Sequence, residues 1–160
     1  MDEPVPIRRA AVGCLLIALV GVAVALIVRP AIFSLAPPRD DSAVFVATAA
    51  EIFDGPVERE VLLSRSYGWA GEREAGDGRT QLNVIVAPAP FAGVAAIAAT
   101  SPEVANCPVV IGDGLLNDCE GNAWSYDGTP LETGLVPLQR FPAEVVGGSV
   151  TVDFTRTAED

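Results

Sequence analysis

Residues 107–128 read CPVVIGDGLLNDCEGNAWSYDG. This stretch carries two cysteines, Cys107 and Cys119, followed by a short strand at residues 123–126 (AWSY) that the turn dipeptide Asp127-Gly128 closes. The same rhythm continues downstream. Residues 129–131, residues 143–146 and residues 149–154 (SVTVDF) read as further strands, separated by Gly134, Pro142 and Gly147-Gly148. Turns recurring at such intervals predict an all-β fold of small antiparallel sheets rather than alternating strand and helix units.

Upstream the pattern is the same. Residues 43–48 (AVFVAT) are β-branched and aromatic enough for a strand, residues 49–53 (AAEIF) suit one helical turn, and residues 57–64 (VEREVLLS) alternate in their first half. The glycine- and acid-rich residues 68–78 (GWAGEREAGDG) read as a solvated loop or hairpin tip. Residues 81–86 (QLNVIV) and 93–98 (GVAAIA) are two more strands, with a turn expected at Ala87-Pro88-Ala89-Pro90.

Composition narrows the chemistry. The sequence contains no histidine, the residue most used for acid–base work near neutral pH and for binding zinc, copper and iron. A Ser-His-Asp triad is therefore excluded. Lysine is absent too, which removes Schiff-base chemistry and the lysine of a phosphate-binding loop. Of three cysteines, Cys14 stands far upstream of the other two, so one domain cannot assemble a four-cysteine metal site. The net charge of −11, from 21 acids against 10 arginines, repels nucleic acid and suits solubility, and it leaves a basic partner such as a soluble cytochrome open.

Residues 10–28 (AAVGCLLIALVGVAVALIV) carry neither charge nor proline, and at a helical rise of ~1.5 Å per residue they nearly match a hydrocarbon core of ~30 Å. The expectation is a retained membrane helix, because the run is longer than a signal-peptide core and ends at Arg29-Pro30 instead of a small-residue cleavage site. Arg8 and Arg9 before the span are balanced by Arg29 and Arg39 after it, so charge alone leaves its direction open. The expected organisation is a tail (1–9), a membrane helix with an interfacial extension (10–36), a stiff polar linker (37–42), one domain of about 115 residues (43–156) and a short tail (157–160).

The ordered set Cys107-Pro108-Val109-Val110, DCEGNAWSYDG at residues 118–128, Gly134, Pro137-Leu138, Phe141-Pro142 and VVGGSVTV at residues 145–152 resembles the C-terminal half of a Rieske iron–sulfur domain. The resemblance covers roughly residues 43–154 and is strongest from Cys107 onward. It implies a Rieske-like domain preceded by one membrane helix, as in the Rieske subunits of cytochrome bc-type complexes. In that family the first cluster loop reads Cys-x-His-x-x-Cys and the second Cys-x-x-His-Gly, an internal cysteine of the second pairing with the last cysteine of the first. Carried over, the iron-ligand positions fall on Pro102, Val104, Asn117 and Glu120, and the disulfide pair on Cys107 and Cys119. None of the four ligand positions holds the thiolate or imidazole that such a cluster uses. A disulfide implies an oxidising compartment, which places the amino terminus in the cytoplasm and the domain outside it.

The resemblance thus implies a membrane-anchored Rieske-like subunit without its 2Fe–2S cluster. It would carry no cofactor and no catalytic residue, and would serve as a structural or accessory component of a respiratory, quinol–cytochrome c oxidoreductase-type complex. Its partners would be the other membrane subunits of that complex. Two alternatives stand beside this reading: an electron carrier with atypical ligation, and a stand-alone extracytoplasmic binding module. For the latter, Asp113, Asp118 and Glu120 offer oxygen ligands for a weak calcium site, although acidic turn residues are usually only solvated. Trp69, Trp124 and Tyr126 offer rings for stacking on a ligand, but Trp124 and Tyr126 are expected to pack near the two loops.

Overall fold

The structure is a computed structural model that describes residues 40–89 and 93–158. The expected tail 1–9, the membrane helix 10–36 with Cys14, residues 37–39 of the linker and the end of the 157–160 tail lie outside these residues. Among the described residues no helix is long and apolar enough to cross a membrane. The described chain forms β1 (Val44–Thr48), α1 (Ala49–Asp54), β2 (Val57–Leu63), β3 (Arg73–Glu74), β4 (Thr80–Ala89), β5 (Gly93–Ala98), β6 (Val110–Ile111), β7 (Leu116–Asn117), β8 (Ala123–Trp124), β9 (Arg140–Phe141), β10 (Ala143–Val146) and β11 (Ser149–Val152).

These strands pair antiparallel in three sheets: β1-β11-β10, then β2-β4-β5-β9 with β3 added to β4, and β6-β7-β8. The second sheet is covered on both faces. Successive strand residues point to opposite faces, so Leu82, Val84 and Val86 of β4 and Val94, Ala96 and Ala98 of β5 enter one core, while Ile85 and Ile97 enter another. That double burial explains why both strands are apolar nearly throughout. The first core is closed by Val46, Val150 and Val152 of the β1-β11-β10 sheet, by Ile52 of α1 and by Phe141 and Phe154. The second joins Ile85 and Ile97 to Val109, Leu116, Trp124 and Leu138, and so seats the small β6-β7-β8 sheet.

The single helical turn forms where expected because its start is capped. Thr48 Oγ1 accepts from the Glu51 amide, and Glu51 Oε2 accepts from the Thr48 amide at 2.8 Å, a reciprocal capping box. The domain begins before Ala43. Asp41, read from sequence as linker, is 3% exposed, and its carboxylate accepts from the Ser64 amide and the Tyr67 hydroxyl.

Two further local expectations are corrected. Ala87-Pro88-Ala89 is strand and not turn, since Ala87, Pro88 and Ala89 pair with Ala95, Val94 and Gly93. The last β2 partner is Val57, opposite Val86, so β4 has one neighbour beyond that point and the missing N–H of Pro88 breaks no ladder on the open side. Residues 129–131 make only an isolated bridge between Pro130 and Trp124. The short strands β3, β6, β7 and β9 are additions, each of two residues and too brief to show a period of their own.

Candidate functional site

Two loops at one end of the second core correspond to those singled out in the sequence. The first leaves β5 and is closed at its base by a bridge between Thr100 and Pro108. Inside it the Ser101 amide donates to the Cys107 carbonyl at 2.9 Å, and Ser101 Oγ accepts from the amides of Glu103 and Val104 at 3.2 and 3.3 Å. The loop turns at Asn106, whose φ of 59° lies in the left-handed region that asparagine tolerates better than most residues.

The second loop follows β7. Asp118 Oδ1 accepts from the amides of Glu120 and Asn122, both at 3.0 Å, and Gly121 supplies the positive φ of 89° that the turn needs. Asp118 Oδ2 accepts from Asn122 Nδ2 at 2.9 Å and from Ser101 Oγ at 2.8 Å. The carboxylate is 7% exposed and takes four hydrogen bonds, one of them from the opposite loop. Burial pushes the Asp118 carboxyl up, but the bonds from Asn122, Ser101 and the Glu120 and Asn122 amides together outweigh it and hold the group below the ordinary aspartate value.

A disulfide joins the same loops, Cys107 to Cys119, with the Cα atoms 5.8 Å apart. Cys107 is buried and Cys119 exposed, and the Cys119 amide donates to Cys107 Sγ at 2.9 Å. A third segment locks against the first loop: Glu103 Oε1 accepts from the Val136 amide at 2.6 Å, and the fully buried Trp124 donates from Nε1 to the Val136 carbonyl at 2.9 Å. Tyr126 packs on the second core, its hydroxyl donating to the Gly112 carbonyl and accepting from the Gly114 amide. Trp69 is committed elsewhere, stacked with Tyr67, edge-on to Phe141 and donating to the Phe154 carbonyl at 2.8 Å.

Of the positions that the resemblance assigns to iron ligands, Pro102 and Glu120 are exposed and Val104 is partly buried. The Asn117 side chain lies over Gly112, where an added Cβ would come within 2.7 Å of Asn117 Nδ2. Proline and valine have no side-chain donor for iron, and an amide and a carboxylate are poor replacements for thiolate and imidazole. Both sulfurs in the described loops are already bonded to each other. The residues present do not fit a histidine-ligated two-iron cluster.

Asp113, Asp118 and Glu120 do not form a cation site. Among the described residues no group of three or more acids and cysteines is placed to hold a metal, and Asp118 is saturated by hydrogen-bond donors. In the sequence Asp118 stands as one possible oxygen ligand among acidic turn residues, and Ser101 carries no signal of its own. The only available signal was the Asp118-x-x-x-Asn122 spacing around Gly121, which is common in turns without burial.

No protein-family model and no curated protein matches the sequence. Solved structures do. The cyanobacterial plasma membrane Rieske protein PetC3 from Synechocystis PCC 6803 is 19% identical over 68% of this chain and 97% of its own, with a TM-score of 0.49. A chain from the complex of reduced oxygenase and oxidized ferredoxin in carbazole 1,9a-dioxygenase is 18% identical over 75% of this chain and 99% of its own, with a TM-score of 0.50. At such identities the likeness concerns the fold alone. The described domain has a Rieske-like fold, its two loops joined by the Cys107–Cys119 disulfide.

Proposed function

We propose that this chain is a Rieske-like subunit that works without an iron–sulfur cluster. The observation that carries the reading is the donor set: Pro102, Val104, Asn117 and Glu120 stand at the ligand positions of the resemblance, in a sequence without histidine. The loop interior supports it, because Ser101 and Asp118 engage the amides of Glu103, Val104, Glu120 and Asn122 within the protein itself.

On this reading residues 10–28 anchor the chain in the membrane, the amino terminus is cytoplasmic and the domain lies outside. Its role is structural or accessory, within a quinol–cytochrome c oxidoreductase-type complex. What remains of the fold is a surface held in shape by a disulfide and a buried carboxylate, which suits assembly with other subunits. Mild detergent extraction with native electrophoresis tests the role. Co-migration with subunits of an electron-transfer complex is the expected result, and migration alone contradicts it.

A further inference from the structure

The two sulfurs of the disulfide are not equivalent. Cys107 is 2% exposed, whereas Cys119 is exposed in the second loop. The Cys119 amide also donates to Cys107 Sγ at 2.9 Å. Of the two residues only Cys119 is open to solvent, so attack by an external thiolate is directed to Cys119, and the electron pair of the breaking S–S bond goes to Cys107 Sγ, which already has a donor to stabilise negative charge.

The loops are also aligned independently of the disulfide. Ser101 donates to Asp118 between them, and Glu103 fixes the first loop to Val136. Reduction would leave the two cysteines held near their present Cα separation of 5.8 Å, ready to re-form the bond.

We infer that Cys107–Cys119 is a thiol–disulfide exchange site addressed through Cys119 by an external dithiol protein. A partner thiolate attacks Cys119 Sγ, giving a mixed disulfide and a Cys107 thiolate that takes up a proton. The partner's second thiolate then attacks its own mixed-disulfide sulfur and releases the Cys119 thiolate, which is protonated in turn. The domain gains two electrons and two protons, and the partner dithiol becomes a disulfide. The inference rests on the cluster-free reading only in that no cluster covers these loops, and it does not depend on the identity of the complex.

The test uses the full chain in detergent with Cys14→Ser, so that only this pair reports. Graded ratios of reduced to oxidised dithiothreitol are followed by alkylation, intact mass and near-ultraviolet circular dichroism at 25 °C without denaturant. In parallel, a Cys-x-x-Cys oxidoreductase lacking its resolving cysteine is used as a trap, and the acid-quenched conjugate is mapped. The expected results are gain of two alkyl groups with the near-ultraviolet signal retained, re-formation of the bond when reductant is removed, and a conjugate linked through Cys119. Reduction only together with loss of the near-ultraviolet signal, no reduction before unfolding, or linkage through Cys107 would each overturn the inference. An iron-free preparation that fails these tests leaves the proposed function standing, whereas stoichiometric iron removes that reading instead.

Discussion

Ser101 donates its hydroxyl hydrogen to Asp118 Oδ2 at 2.8 Å, so one buried hydrogen bond joins the two loops that the Cys107–Cys119 disulfide also joins. Asp118→Ala removes the acceptor for Ser101, for Asn122 Nδ2 and for two amides at once. Leaving buried donors unpaired costs about 1–3 kcal/mol for each that cannot reach water. The expected loss for Asp118→Ala is about 3 kcal/mol and for Ser101→Ala about 1 kcal/mol, read from urea unfolding.

The same carboxylate sets an acid limb. Because the folded-state pKa of Asp118 lies below the ordinary value of 3.8, the folded state binds its proton less readily than the unfolded state. Its contribution is complete above the unfolded value and is lost as pH falls from there through the folded value. Thermal melts between pH 7 and pH 2 are expected to fall less steeply below pH 4 in Asp118→Asn than in the parent. An unchanged slope contradicts this role.

Trp124 is fully buried and spends its indole N–H on the Val136 carbonyl at 2.9 Å. Trp124→Phe keeps an aromatic ring in the second core but loses the donor, for an expected cost of about 1–2 kcal/mol. Trp124→Ala opens a cavity, for an expected cost of about 3–5 kcal/mol. A loss near zero in Trp124→Phe, measured by chemical denaturation, would show that the hydrogen bond contributes nothing.

Gly71 lets residues 70–72 press against the start of the first loop. Its φ is 82°, and an added Cβ would stand 2.0 Å from Thr100 Oγ1. Gly71→Ala combines an unfavourable backbone region with a direct clash, and is expected to cost about 2–3 kcal/mol. Gly76→Ala has an open site at a similar φ of 72° and isolates the backbone part, at about 1 kcal/mol. A melting-temperature comparison of the two separates the clash from the conformational strain.

Removing the disulfide by Cys107→Ser with Cys119→Ser is expected to cost about 3 kcal/mol in the chain-entropy account, given a sequence separation of 12. That is less than the total for a domain of ordinary stability. The variant is expected to fold at 25 °C with a lowered melting temperature, whereas a wholly unfolded variant would show that the Asp118 network cannot hold the loops.

Much of this was legible in the residues. Segments such as residues 81–86 and 93–98 announce strands because both faces are buried, and Gly147-Gly148 announces the β10–β11 hairpin. Two-residue strands such as β6 and β9 carry too little pattern to be read, and Pro88 misled because the open edge beyond Val86 is a tertiary fact. At the site, the pairing of Cys107 and Cys119 followed from the ordered resemblance. Asp118 did not, since nothing local distinguishes a buried aspartate with four donors from a solvated one.

Iron and acid-labile sulfide analysis of the chain, purified in mild detergent without oxygen and paired with EPR after dithionite reduction, decides whether these loops hold a cluster. The expected protein is colourless, with far less than one iron per chain and no reduced-cluster signal. Two irons and two sulfides bound per chain would mean that the chain holds a cluster after all.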